Sequence, residues 1–399
     1  MAGHFAFASL AAHGHVNPTL PLVEELVSRG HRVTYATGSE QAPAVERAGA
    51  TAVVMPWGVE LSDLAGRGYT QDGLVRMMVA GTAELTASFD ALVAPFLADP
   101  PDCVCYDAMG LPGRALADRL AVPGVAMAPN MVGNEHFSLR ALMWPVDFDP
   151  ADPRLVEVGR ELAAFAARYG LSPAALRPTD ARAPLNLVFV PREFQVAGET
   201  FGEAFRFLGP ALPRRARPDA WSPPTGDPLV LVSLGTVFND RPDLLGVCLE
   251  ALGGTPWQVV MATGRAAPPG AVPPNVEVHR QVPQLEVLRH AAAFVSHTGM
   301  GSTMEALLHG VPVVSVPQTP EQALNGRRAA ELGLGRALDT ESLTAAELRA
   351  AVEQVVADPV LRSTLDRWRD RLRSVDAGAR GADALEEFLA RAPRPPGGG

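Results

Sequence analysis

Residues 296–306 read Ser-His-Thr-Gly-Met-Gly-Ser-Thr-Met-Glu-Ala and follow the apolar run 291–295. The pattern predicts a strand that ends in a glycine-bearing turn and opens a helix. Such a turn presents unpaired backbone N–H groups and the positive end of a helix dipole. An anion, most simply a phosphate, is the natural occupant. His297 supplies a further donor at the strand end, and Gly299, Met300, Gly301 and Ser302 form the turn and the helix opening. Glu305, one turn into the helix, is placed to accept hydrogen bonds from a sugar hydroxyl. This half of the chain is thus expected to bind a sugar-bearing nucleoside diphosphate.

A second constellation lies near the start, where the first apolar run leads into Ala-Ala-His13-Gly14-His15-Val16-Asn17-Pro18. Open α/β sheets bind ligands beyond the carboxyl ends of their strands, and these histidines stand there. A histidine titrating near neutrality can take a proton from an alcohol. The residues alone leave open whether His13 or His15 does so, or whether either merely caps a turn. Asp107 closes the run Val104-Cys105-Tyr106. It could hold the second ring nitrogen of such a histidine or cap the helix expected from about residue 111. Ser233 and Thr236 flank a glycine after another strand and could reach a diphosphate, although Ser-Leu-Gly-Thr alone is a weak motif. Pro283 pins a turn in which Val282 and Gln284 could meet a base edge, and Glu321 and Gln322 at a helix opening could bind sugar hydroxyls or complement the helix dipole. Asp147 and Asp149 sit in a proline-rich stretch without strand context, so they are rejected as a metal pair.

The elements that position these residues alternate. Strands are expected over 5–9, 32–36, 51–54, 102–106 and 124–128, with a helix over 18–29 whose Leu20, Val23 and Val27 recur at helical spacing. Such alternation implies a parallel, doubly wound sheet. Prolines recur among few apolar residues over 209–228, marking a linker. The pattern then restarts with strands over 229–234, 258–262, 276–278, 293–296 and 313–316, helices over 244–252 and from about 301, and a helical stretch from about 345. The expected organisation is an acceptor domain over 1–208, a nucleotide domain over 229–375, a helix over 376–391 returning to the first domain, and a disordered tail over 392–399. Two such sheets would face each other across a cleft. Residues 55–100 and 130–180 carry Trp57, Met77, Phe137, Met143 and Trp144, which serve either as packing for long helices or as walls of an apolar cleft.

Composition removes whole mechanisms. All 34 basic residues among 399 are arginine, so Schiff-base chemistry, a Walker-A lysine and a kinase strand lysine are excluded. A net charge of −10 argues against a nucleic-acid surface. Three cysteines, an odd and sparse set, fit a reducing cytoplasm. No signal peptide is read at the start, and no membrane span is expected.

Together these residues resemble a family-1 glycosyltransferase of the GT-B fold, and the bacterial macrolide and antibiotic glycosyltransferases in particular. His13-Gly-His15-Val-Asn-Pro resembles the family's first-strand motif, in which the second histidine is the base, so the resemblance points to His15. Asp107 matches its partner aspartate, and His297 through Glu305 is similar to the diphosphate and ribose signature. Val282-Pro283-Gln284 matches the base-binding turn, and Glu321-Gln322 the donor-sugar pair. Many relatives carry an aromatic two residues before that proline, whereas here it is Gln281, so the base, uridine or thymidine, is left open. The resemblance implies an inverting transfer without cofactor or metal, from a UDP- or dTDP-sugar, such as UDP-glucose, to a hydroxyl of a bulky hydrophobic natural product. Asn130 joins the aromatic and Met residues above as a candidate acceptor contact. The enzyme would be a monomer or homodimer. The rival readings are a nucleotide-sugar epimerase and a non-catalytic partner of another transferase.

Overall fold

The computed structural model describes residues 2–57, 70–145, 148–176, 183–210, 221–223, 226–235, 241–264, 266 and 270–391. Thr236, Asp147, the tail 392–399 and much of the expected linker lie outside these residues. The chain forms two compact units, one built mainly from its first 215 residues plus those from 376 onward, the other mainly from residues 216–375.

The first unit carries seven strands: β1 His4–Ala8, β2 Arg32–Gly38, β3 Thr51–Met55, β4 Cys103–Asp107, β5 Gly124–Ala128, β6 Leu185–Val188 and β7 Phe205–Phe207. They lie in the order β3-β2-β1-β4-β5-β6-β7, and every pairing is parallel. His-Phe-Ala-Phe-Ala and Cys-Val-Cys-Tyr-Asp are buried throughout, as strands covered on both faces must be. Side chains alternate between two cores. Phe5, Phe7, Cys103, Cys105, Val125 and Met127 point into one; Ala6, Ala8, Val104, Tyr106 and Ala126 point into the other. The three cysteines are free and buried, Cys103 and Cys105 in this sheet.

The second core is closed by the helix Gln71–Ala98, which buries Val75, Leu85, Phe89, Leu92, Val93 and Phe96 at helical spacing. By length and composition this helix is the one among the described residues that could cross a membrane. Its Leu85–Phe96 stripe is buried in the core of the unit. The first core is closed by the helices Leu20–Ser28 and Ala377–Arg391, so the chain's last described helix belongs to its first unit.

The second unit repeats the design with β8 Leu229–Ser233, β9 Gln258–Ala262, β10 Val276–His279, β11 Ala291–Ser296, β12 Val313–Ser315 and β13 Gly335–Ala337. Their order is β10-β9-β8-β11-β12-β13, again all parallel. In each sheet the strand order reverses once, between β1 and β4 and between β8 and β11. A doubly wound sheet takes its ligands at the carboxyl ends flanking that reversal.

Candidate active site

At the reversal in the first unit, β1 and β4 run side by side with Ala8 opposite Tyr106, so the residues just beyond both strands meet. His15 stands on the short helix His13–Val16 that follows β1. Its Nδ1 lies 2.7 Å from Oδ2 of Asp107. Asp107 is 2 % exposed, and a carboxylate so enclosed needs donors. The Ser9 hydroxyl donates to Oδ2 at 3.2 Å and the Met109 amide to Oδ1 at 2.8 Å. An acid surrounded by donors accepts from His15 Nδ1–H, which leaves Nε2 as the unprotonated nitrogen.

The support behind this pair is polar and buried. The Tyr35 hydroxyl, fully enclosed, meets Thr19 Oγ1 at 2.9 Å, and Thr19 in turn donates to the Val16 carbonyl next to His15. Burial pushes the Tyr35 phenol well above its ordinary range, so it stays a neutral donor. His13 is placed differently. Its Nε2 faces Glu40 at 3.1 Å, with both side chains exposed. Nor does Asp107 cap the following helix: Leu111–Leu120 opens at Gly110, without a side-chain cap.

At the reversal in the second unit, Ser233, Ser296 and Ser315 lie side by side across β8, β11 and β12. Beyond them the His297 ring sits against Gly235 and Gly299, where a Cβ on either glycine would collide with Nε2. Gly235 also holds a left-handed φ of +88°, open to glycine at little cost. His297 Nδ1 is buried and has no hydrogen-bond partner among the described residues. Desolvation, opposed by the Ser233 backbone, lowers its pKa to about 4. The ring is therefore neutral at working pH, a donor rather than a cation.

The helix Met300–His309 starts at Gly299 with no side-chain cap, and its first turn carries Met300, Gly301 and Ser302. A Cβ added at Gly301 would meet open space. Glu305, the next turn's acid, accepts from Gln284 Nε2 at 2.6 Å, and the same nitrogen lies 3.1 Å from Ser302 Oγ. Burial raises the Glu305 pKa to about 7, with the Gln284 bond opposing it. Residues from two separate motifs thus form one cluster. Gln281 and Val282 precede it, Gln281 exposed and Val282 partly so.

The opening of the helix Pro320–Glu331 is tied to the same edge. Thr319 caps it by accepting from the Gln322 amide. Gln322 Oε1 accepts from the Gln318 N–H at 2.8 Å, and Glu321 Oε1 from Asn325 Nδ2 at the same distance. Thr298 is fully buried with φ +56°, strained for a β-branched residue. It is held by its hydroxyl, which meets Ser315 Oγ at 2.7 Å and lies 2.9 Å from the Gln322 carbonyl. Gly326 lets this helix approach, because a Cβ there would strike Ser315 and Thr298.

The chain is similar to known proteins over nearly its whole length. Residues 248–387 match the family described as Erythromycin biosynthesis protein CIII-like, C-terminal domain. NDP-glycosyltransferase YjiC of Bacillus licheniformis is 36 % identical over 98 % of this chain and 98 % of its own. Demethyllactenocin mycarosyltransferase of Streptomyces fradiae is 37 % identical over 98 % of this chain and 87 % of its own. The crystal structure of CalG4, the calicheamicin glycosyltransferase, superimposes with a TM-score of 0.82 at 37 % identity, covering 98 % of this chain and all of that one. This chain belongs to the GT-B glycosyltransferases.

Within this glycosyltransferase the expected acceptor residues separate. Trp57 donates from Nε1 to Ser88 Oγ and packs on the second core of its unit. Trp144 meets Phe148 at 3.9 Å and Arg140 at 5.1 Å. Met77 is exposed on the long helix, and Phe137 and Met143 are partly exposed. Asn130 reaches Met109, its Nδ2 3.9 Å from Met109 Sδ. Met109, 60 % exposed and anchored through its amide to Asp107, is an apolar neighbour of the pair that the sequence reading missed. Its spacing two residues after Asp107 was the available signal.

Proposed function

We propose that this glycosyltransferase moves a hexosyl group from a UDP- or dTDP-sugar to a hydroxyl of a bulky hydrophobic natural product such as a macrolide, with inversion and without a metal. The His15–Asp107 pair carries the reading. His15 Nε2 takes the acceptor hydroxyl proton as that oxygen attacks the anomeric carbon. The bond from that carbon to the diphosphate oxygen breaks with its electron pair leaving on the diphosphate. Asp107 stabilises the imidazolium that forms, and base assistance of this kind contributes roughly 10²–10⁴-fold. Charge growing on the diphosphate would meet the N–H groups opening the helix Met300–His309 and the neutral His297. Glu305 with Gln284 would hold the nucleoside, and Glu321 with Gln322 the sugar.

The relatives named above support the donor and acceptor classes: one is an NDP-glycosyltransferase, the others act in mycarosyl transfer and on calicheamicin. A histidine paired with a buried carboxylate also favours an active enzyme over a silent partner protein.

The test is a transfer assay with UDP-glucose and dTDP-glucose against a panel of macrolide and polyketide aglycones. His15→Ala should lose about 10²-fold or more in turnover while still binding UDP, and His13→Ala should stay within about threefold of wild type. EDTA should leave the rate unchanged. Full activity in His15→Ala would place the base elsewhere, and a rate that collapses on chelation would overturn the metal-free displacement.

A further inference from the structure

Asn325 lies in the second turn of the helix Pro320–Glu331 and is fully buried. Its Nδ2 donates to Glu321 Oε1 at 2.8 Å and to the Thr298 carbonyl at 3.1 Å. One amide therefore joins the acid that opens this helix to the turn that follows β11. Its orientation is fixed chemically, since the reverse flip would set Oδ1 against two oxygens. Oδ1 itself is buried with no hydrogen-bond partner among the described residues. An enclosed, unpaired acceptor is costly, so this side chain is stabilised through its two donors. Thr298, whose backbone is strained, gains from the same amide a clamp on its carbonyl.

We propose that Asn325 is a positioning residue that fixes the Glu321 carboxylate relative to the diphosphate turn and so sets discrimination among donor sugars. The inference rests on the reading of Glu321 as a donor-sugar contact. With one oxygen fixed by Asn325, the plane of this carboxylate is constrained, and it accepts from sugar hydroxyls of one configuration better than from the epimer. Without that bond the constraint on its plane is loosened. Asn325 is fully buried and acts on the donor sugar through Glu321, with the Thr298 carbonyl as its fixed point.

The experiment compares UDP-glucose with its 4-epimer UDP-galactose in wild type, Asn325→Ala, Glu321→Ala and the double variant, with UDP binding measured by calorimetry. Asn325→Ala should lose about tenfold in kcat/KM for UDP-glucose and narrow the preference between the epimers, with UDP affinity within about twofold of wild type. The double variant should be no worse than Glu321→Ala alone. Losses that multiply in the double variant, an unchanged epimer preference, or UDP affinity falling in step with activity would each overturn the proposal. If Asn325→Ala lacks a cooperative melt, Asn325→Leu nearly keeps the volume, has no donor for Glu321 at any pH, and carries the same expectations. Wild-type protein that transfers no sugar from any nucleotide donor would overturn the functional reading, and this inference with it.

Discussion

His13 and His15 are two residues apart, yet one faces solvent and an exposed glutamate while the other meets a buried aspartate. Residue type and spacing placed both histidines at a strand tip. Which of them is engaged depends on β4, which is 92 residues further along, and local pattern does not encode that pairing. Glu305 shows the same division. Its place one turn into a helix was legible, but its desolvation and its bond to Gln284 come from tertiary packing. That desolvation has a thermodynamic sign. The folded pKa of about 7 exceeds the ordinary 4.5, so the folded state favours the protonated acid. The stabilisation is complete below pH 4.5 and is lost as pH rises through about 7. The full shift corresponds to about 3 kcal/mol, and partial exposure reduces what is realised to about half of that or less. Glu305→Gln, neutral at every pH, should therefore raise the melting temperature of the ligand-free protein at pH 8 and change it little at pH 5. Thermal melts at the two pH values check this; equal shifts at both would count against a strained carboxylate.

At the level of elements, the long apolar strands and the glycine-punctuated helix starts were readable because burial on both faces leaves continuous apolar runs. β6, β7 and β13 were not read, and their four, three and three residues are too short to show any period. Of the two readings offered for residues 55–100, packing for a long helix or walls of a cleft, the structure shows one helix of 28 residues, Gln71–Ala98, with its apolar stripe in the core. Close approach between elements is equally hidden from pattern. Gly326 sits where the helix Pro320–Glu331 crosses the end of β12, and a methyl group there would meet Ser315 and the Thr298 hydroxyl. Neither is the far end of a flexible chain, so Gly326→Ala must push the helix away. Overpacking of this kind costs roughly 1–3 kcal/mol. The displacement would also break the Asn325–Thr298 and Thr298–Gln322 bonds. The expected result is a melting temperature lowered by several degrees together with a raised KM for the nucleotide sugar. A variant that melts early but keeps its donor KM would show that the helix opening does not depend on this contact.

At the scale of the whole molecule, the chain leaves its first unit, builds the second and returns, and the returning helix Ala377–Arg391 is part of the first unit's core. Two kinds of contact hold it there. Arg29 reaches Asp383 at 2.7 Å and Glu386 at 3.0 Å, and His31 reaches Glu386 at 2.9 Å. Beneath them Ala382 and Leu385 are fully buried beside the helix Leu20–Ser28. Magnitudes decide which matters more. Asp383 is 59 % exposed and Glu386 38 %, and ion pairs in such surroundings contribute about 0–1 kcal/mol each. Truncating a fully buried leucine costs about 2–5 kcal/mol. Leu385→Ala should therefore lower the stability of the first unit several times more than Asp383→Ala does, and only the aspartate variant should lose its effect in high salt. Chemical denaturation followed at low and high ionic strength separates the two. If Asp383→Ala proved the costlier change, the helix would be held by charge, and its docking would weaken as salt rises.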